Sequence, residues 1–127
     1  MKKLTLAIAL SISLLGASAA LAQTAANVPN RGHAPTQADG LGRLDLRVVD
    51  AKGQPIRGAN AKLTSNRSGG NICETWNSTD AAGVAVLPPL HVGTLKLTVK
   101  APGYRAQTLN LAPSALAQPV RVTLVRS

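Results

Sequence analysis

The chain has 127 residues, with 14 Lys and Arg against 5 Asp and Glu and a formal charge of +9. That length makes one domain. With one Trp, one Tyr, no Phe and basic residues spread along the chain, it has neither the stacking platforms that single-stranded nucleic acid needs nor the basic cluster that a duplex needs, and a nucleic-acid partner is set aside.

The chain opens on Met1, Lys2 and Lys3, continues through a mostly apolar run over residues 4–15, and reaches the small residues around Ala20 and Ala22. This is the pattern of an export signal, and residues 1–22 are expected to be removed. The apolar run would cover roughly 18 Å as a helix, against roughly 30 Å of hydrocarbon, so no integral membrane span is expected. The implied location is periplasmic or extracellular. The remainder would carry twelve Lys and Arg against five acids, a balance that reads either as solvation of a small domain or as attraction to anionic envelope polymers or lipid.

Residues 23–42 contain Pro29, Pro35 and three Gly with no apolar period, so they are expected to form a disordered linker. His33 lies in it without a second ligand nearby. The folded unit is expected over residues 43–127. Leu44, Leu46 and Val48 alternate with Arg43, Asp45 and Arg47, which predicts a strand with one apolar and one charged face. Asp50 and Gly53 then turn the chain. Ala59, Ala61 and Leu63 alternate with Asn60, Lys62 and Thr64 in a second strand, and residues 72–79 form a third. Asp80 and Gly83 make another turn before a short strand at Val84 and Val86, which ends at Pro88 and Pro89.

The strongest alternation is in residues 94–100, where Leu95, Leu97 and Val99 face in while Thr94, Lys96, Thr98 and Lys100 face out. Strands over 106–111 and 120–124 follow, with a possible helical turn between them opened by Pro113. Seven short strands without a helical period predict an all-β, seven-stranded antiparallel β-sandwich.

Several of these residues carry a resemblance. The opening Asp50, Gly53, Pro55, Gly58, Ala59, the Thr79, Asp80, Gly83 turn, Leu90 and Gly93 before the best strand, and Gly103 and Tyr104 after it resemble the carboxypeptidase regulatory-like domain over roughly residues 44–124. The resemblance implies a transthyretin-like (prealbumin-like) sandwich and a noncatalytic accessory or interaction module, here as a stand-alone copy. The opening is more distantly similar to 5-hydroxyisourate hydrolases, but Arg47 stands where their His would fall and the chain ends in Val125, Arg126 and Ser127. Intradiol dioxygenases share the broad architecture but hold iron with two Tyr and two His, and Tyr104 is the sole tyrosine here. No paired carboxylates, oriented Ser and His, or phosphate loop is present, so the chain is read as not an enzyme, with no cofactor and no metal. Asp50 and Asp80 are read as turn residues in preference to calcium ligands.

The most site-like stretch is 67–77, which holds the only Trp, the only Cys and the only Glu. Arg67, Asn71, Glu74, Trp76 and Asn77 are the candidate binding residues. Two readings of Trp76 stay open, an exposed stacking platform or filler for a core poor in aromatics; its sharing a face with Glu74 and Ser78 favours exposure. Cys73 is either buried or paired between chains. His91 is expected to be a connecting-loop residue and Tyr104 a structural plug. Two functions follow: a noncatalytic envelope module docking an envelope protein or surface, and a carbohydrate-binding module that stacks a polysaccharide on Trp76.

Overall fold

Alternating apolar and polar residues build the strands, and Asp–Gly turns and prolines separate them. The computed structural model describes residues 27–127; the expected export signal and the first four positions of the expected linker lie outside the described residues. In chain order the strands are β1 (Leu41–Gly42), β2 (Asp45–Val49), β3 (Asn60–Asn66), β4 (Ile72–Ser78), β5 (Val84–Val86), β6 (Leu90–His91), β7 (Thr94–Lys100), β8 (Gln107–Leu111) and β9 (Val120–Thr123). The seven longer ones are those predicted. β1 and β6 are additional two-residue strands that pair with each other. A 3-10 turn at Pro113–Ala117 begins on the predicted proline.

The four-stranded sheet has the order β4-β3-β7-β8 and the three-stranded sheet the order β5-β2-β9. Their inner faces make the core. Ala61, Leu63, Leu95, Leu97 and Val99 from one sheet meet Leu46, Val48, Ala85 and Val122 from the other, and Leu87, Leu116 and Leu124 close the ends. The fold is therefore an all-β, transthyretin-like sandwich, with one departure from the antiparallel expectation: β2 pairs with β9 in parallel, Leu46 facing Val120 and Val49 facing Thr123. The chain leaves the far edge of one sheet at β8 and crosses through the 3-10 turn to the vacant side of β2 in the other.

The two Asp–Gly turns are built alike. Asp50 Oδ1 accepts the Lys52 and Gln54 amides, both at 2.9 Å, and Asp80 Oδ1 accepts those of Ala82 and Val84 at 2.9 and 3.1 Å. Gly53 and Gly83 take φ of 81° and 76°, a region open to glycine at little steric cost. At Gly83 a Cβ would also lie 2.6 Å from the Val48 carbonyl oxygen, so the turn doubles as a packing contact.

Two hydroxyls do buried work that alternation did not reveal. Thr79 Oγ1 donates to the Ile56 carbonyl at 2.6 Å and accepts the Ala59 amide at 2.9 Å, tying the loop after β2 to the end of β4. Ser65, fully buried at the end of β3, donates to the His91 carbonyl and accepts the Gly93 amide, both at 2.7 Å.

The charged face predicted for the first strand needs correction. Asp45 and Arg47 are buried, as is every residue of β2. Arg47 Nε and one terminal nitrogen donate to the two Asp45 carboxylate oxygens at 2.7 and 2.9 Å. What covers them is the segment expected to be a linker. The Arg31 amide donates to Asp45 Oδ2 at 2.8 Å, and Arg47 donates to the Val28 and Pro29 carbonyls at 3.2 and 3.3 Å. Asn30 reaches the Ala117 carbonyl at 2.9 Å, and His33 and Arg43 exchange backbone hydrogen bonds. Described residues 27–42 are thus fastened to the sandwich through polar groups, which leave no apolar period to read. Burial pushes the Asp45 carboxyl up, but the hydrogen bond from Arg47, the Arg31 amide and the charges of both arginines outweigh it and hold the group below its ordinary range.

Candidate functional site

The outer face of the four-stranded sheet collects the polar half of each alternation. β3 presents Asn60, Lys62, Thr64 and Asn66 outward, β7 presents Thr94, Lys96, Thr98 and Lys100, and β4 presents Ile72, Glu74, Trp76 and Ser78. Register aligns these into rows. Trp76 stands beside Lys62, which stands beside Thr98, and the next row runs from Ser78 through Asn60 to Lys100. Adjacent strands lie about 4.8 Å apart, so each row offers a line of side chains at close spacing.

Trp76 is 65% exposed, which decides between its two readings: the indole lies on the sheet surface and fills no part of the core. It borders an open groove of about 640 Å³ lined also by Asn60, Ala61, Lys62, Asn77, Ser78, Thr98 and Lys100. The Ser78 hydroxyl donates to Asn60 Oδ1 at 2.7 Å and fixes one corner of the groove. Glu74, one row away, accepts from the Thr64 hydroxyl at 3.3 Å and lies 3.7 Å from the Lys62 ammonium. Lys96 and Lys100 have no ion-pair partner among the described residues.

The five candidate residues do not converge. Glu74 and Trp76 share the outer face. Asn77 adjoins Trp76 on the groove wall, but its side chain is turned to the other side of β4, where its Nδ2 donates to the Val86 carbonyl at 3.0 Å and its Oδ1 accepts the Ser78 amide at 2.8 Å. It bridges the edges of the two sheets. Arg67 and Asn71 flank the hairpin turn between β3 and β4, where the Arg67 amide donates to the Asn71 carbonyl at 2.7 Å. That turn lies beyond Ile72, and four residues of strand put Trp76 about 14 Å from the start of β4. The outward groove residues missed were Asn60, Lys62, Ser78, Thr98 and Lys100. Their outward direction was readable for β3 and β7, but the register that places them beside Trp76 was not.

Cys73 is half-buried on the inner side of β4 and packs against the core. The His91 ring nitrogen Nδ1 lies 2.9 Å from the Asp39 carbonyl oxygen. The Tyr104 ring packs against the core and carries the Arg126 guanidinium 5.0 Å from its centroid, a cation–π contact. Among the described residues no group of three or more His, Cys, Asp or Glu could hold a metal ion, and no helix is long and apolar enough to cross a membrane.

A comparison with protein-family models matches residues 43–125 to the carboxypeptidase regulatory-like domain. The chain belongs to that family. A search of curated proteins finds no match. The regulatory-like domain match takes in β2 through β9, with both Asp–Gly turns and the Trp76 groove, while β1 and the segment clasped by Arg47 precede it. Membership agrees with a noncatalytic module, and the regulatory-like domain here offers a rigid sheet face with one aromatic side chain among ammonium, amide and hydroxyl groups.

Proposed function

We propose that the chain is an exported, noncatalytic interaction module that holds an envelope component against the outer face of its four-stranded sheet. The observation that carries this is Trp76, 65% exposed on the flat of the four-stranded sheet beside an open groove. An indole left in water forfeits the roughly 1.5–3 kcal/mol that burying a large apolar side chain brings, and a partner that covers it recovers that energy. Export rests on the basic, apolar and small-residue succession of residues 1–22.

A photo-crosslinking side chain in place of Thr98, irradiated in the native envelope, tests the docking face. An adduct, whether the discrete band of a protein or the smear of a polymer, that disappears when Trp76→Ala is added supports it. Failure to form an adduct, or adducts indifferent to Trp76, overturns it. For export, the recovered protein is expected to begin at Gln23; an intact Met1 terminus would overturn that part.

A further inference from the structure

The geometry points to the chemical class of the partner: a polysaccharide whose rings carry carboxylates, a polyuronate, laid across β4, β3 and β7 with one ring on Trp76. The inference rests on the reading that this face is the docking surface.

The composition of the face argues against a protein in that position. Protein interfaces bury a core in which charged residues, lysine among them, are depleted and aromatic residues, Met and Arg are enriched. Here the immediate cross-strand neighbour of Trp76 is Lys62, and the next is Thr98. Ile72 is as exposed as Trp76, but it stands at the other end of β4 with Glu74 between them, so the two make no continuous apolar patch.

A pyranose ring fits what is present. One of its sides is a sheet of C–H groups that packs on an indole face, and its rim is hydroxyl. The groove surrounds Trp76 with the amide of Asn60, the hydroxyls of Ser78 and Thr98, and the ammonium groups of Lys62 and Lys100. These are short hydrogen-bonding groups on rigid strands, with the two lysines as flexible donors.

Charge then chooses among sugars. The outward residues of β3, β4 and β7 comprise Lys62, Lys96 and Lys100 against Glu74 alone. Lys62 shares the Glu74 carboxylate, so the surplus lies toward Lys100 on one side and Lys96 on the other, both on β7. A neutral glucan would leave these ammonium groups unanswered, whereas a chain with one carboxylate per ring meets them as it crosses β3 onto β7.

The test is calorimetric titration of the full chain with hexagalacturonate, using cellohexaose as the neutral control and linear inorganic polyphosphate as the non-sugar polyanion. Hexagalacturonate is expected to bind at least tenfold more tightly than cellohexaose. Trp76→Ala should weaken it roughly tenfold, as loss of a Trp anchor does, with Trp76→Phe keeping most of the affinity. Lys62→Gln and Lys100→Gln should each weaken it roughly fivefold and flatten its salt dependence. All these side chains project from the outer face, and unchanged thermal unfolding checks that the variants fold. Equal binding of cellohexaose overturns the carboxylate assignment. Binding of polyphosphate as tight as that of hexagalacturonate, with both indifferent to Trp76→Ala, overturns it in favour of general basic attraction. If no sugar binds while the crosslink at Thr98 captures a protein through Trp76, the ligand class falls and the docking face stands; if neither is seen, both fall.

Discussion

Arg47 grips Asp45 two residues back along the same strand, through a pair of hydrogen bonds at 2.7 and 2.9 Å, and with one of the same nitrogens holds the carbonyls of Val28 and Pro29. The pair therefore links the central strand of one sheet to the segment that precedes the family's span. Its removal should be felt in two places at once.

Arg47→Met leaves a buried carboxylate without its cation, a change that costs about 3–5 kcal/mol in comparable sites. Denaturant unfolding of the full chain measures this. Hydrogen exchange locates it: the Arg31 and His33 amides should lose protection first, while amides of β3 and β7 keep theirs up to global unfolding. Equal loss everywhere would mean that the clasp has no separate stability.

The Asp45 carboxyl titrates in the folded protein below its unfolded value of about 3.9. Its contribution is therefore complete above that value and is lost as pH falls through the lower folded one. As pH falls below about 4, the wild-type chain should lose stability more steeply than Asp45→Asn, whose side chain does not titrate. Parallel acid-unfolding curves for the two proteins would contradict this.

Thr79→Val keeps the shape of the side chain but removes the bonds to Ile56 and Ala59, leaving a buried carbonyl and a buried amide to find other partners. Such a loss costs roughly 1–3 kcal/mol per unsatisfied group. Ser65→Ala should behave similarly through His91 and Gly93. Both are read by urea unfolding midpoints, with the slope unchanged.

Cys73 faces inward from an edge strand and packs against the core. Its thiol should react with an aromatic disulfide reagent much more slowly in the native protein than in urea. Immediate stoichiometric reaction in the native state would show that β4 opens readily or that the thiol turns outward.

The Asp–Gly turns were legible because a short acid and a glycine at fixed spacing have few other uses, and the strands of the four-stranded sheet because one face is wet and the other dry. β2 was legible as a strand but misread as a surface. Alternation says which residues share a face and is silent on what covers it, and Asp45 and Arg47 are covered by residues 28–31, which bind through backbone carbonyls and an amide that any sequence supplies. The binding stretch was misjudged for a related reason. Residues 67–77 are contiguous in the chain, but a strand carries them apart and sends alternate side chains to opposite sides, so Trp76 gains Lys62 and Lys100 as neighbours and loses Arg67 and Asn71, while Asn77 stays on the groove wall with its amide turned to Val86.

The parallel seating of β9 against β2 has a consequence for the order of assembly. The β3–β4 hairpin and its continuation into β7 and β8 can form as the chain emerges, each strand meeting one made shortly before or already paired. β2 has its companion β5 early but keeps its other side vacant until residues 120–123 arrive from almost the opposite end of the matched span. Closing so large a loop is slow and leaves a bare strand edge in the meantime. The core face that β2 shares with the other sheet therefore closes last, when β9 takes the open side of β2.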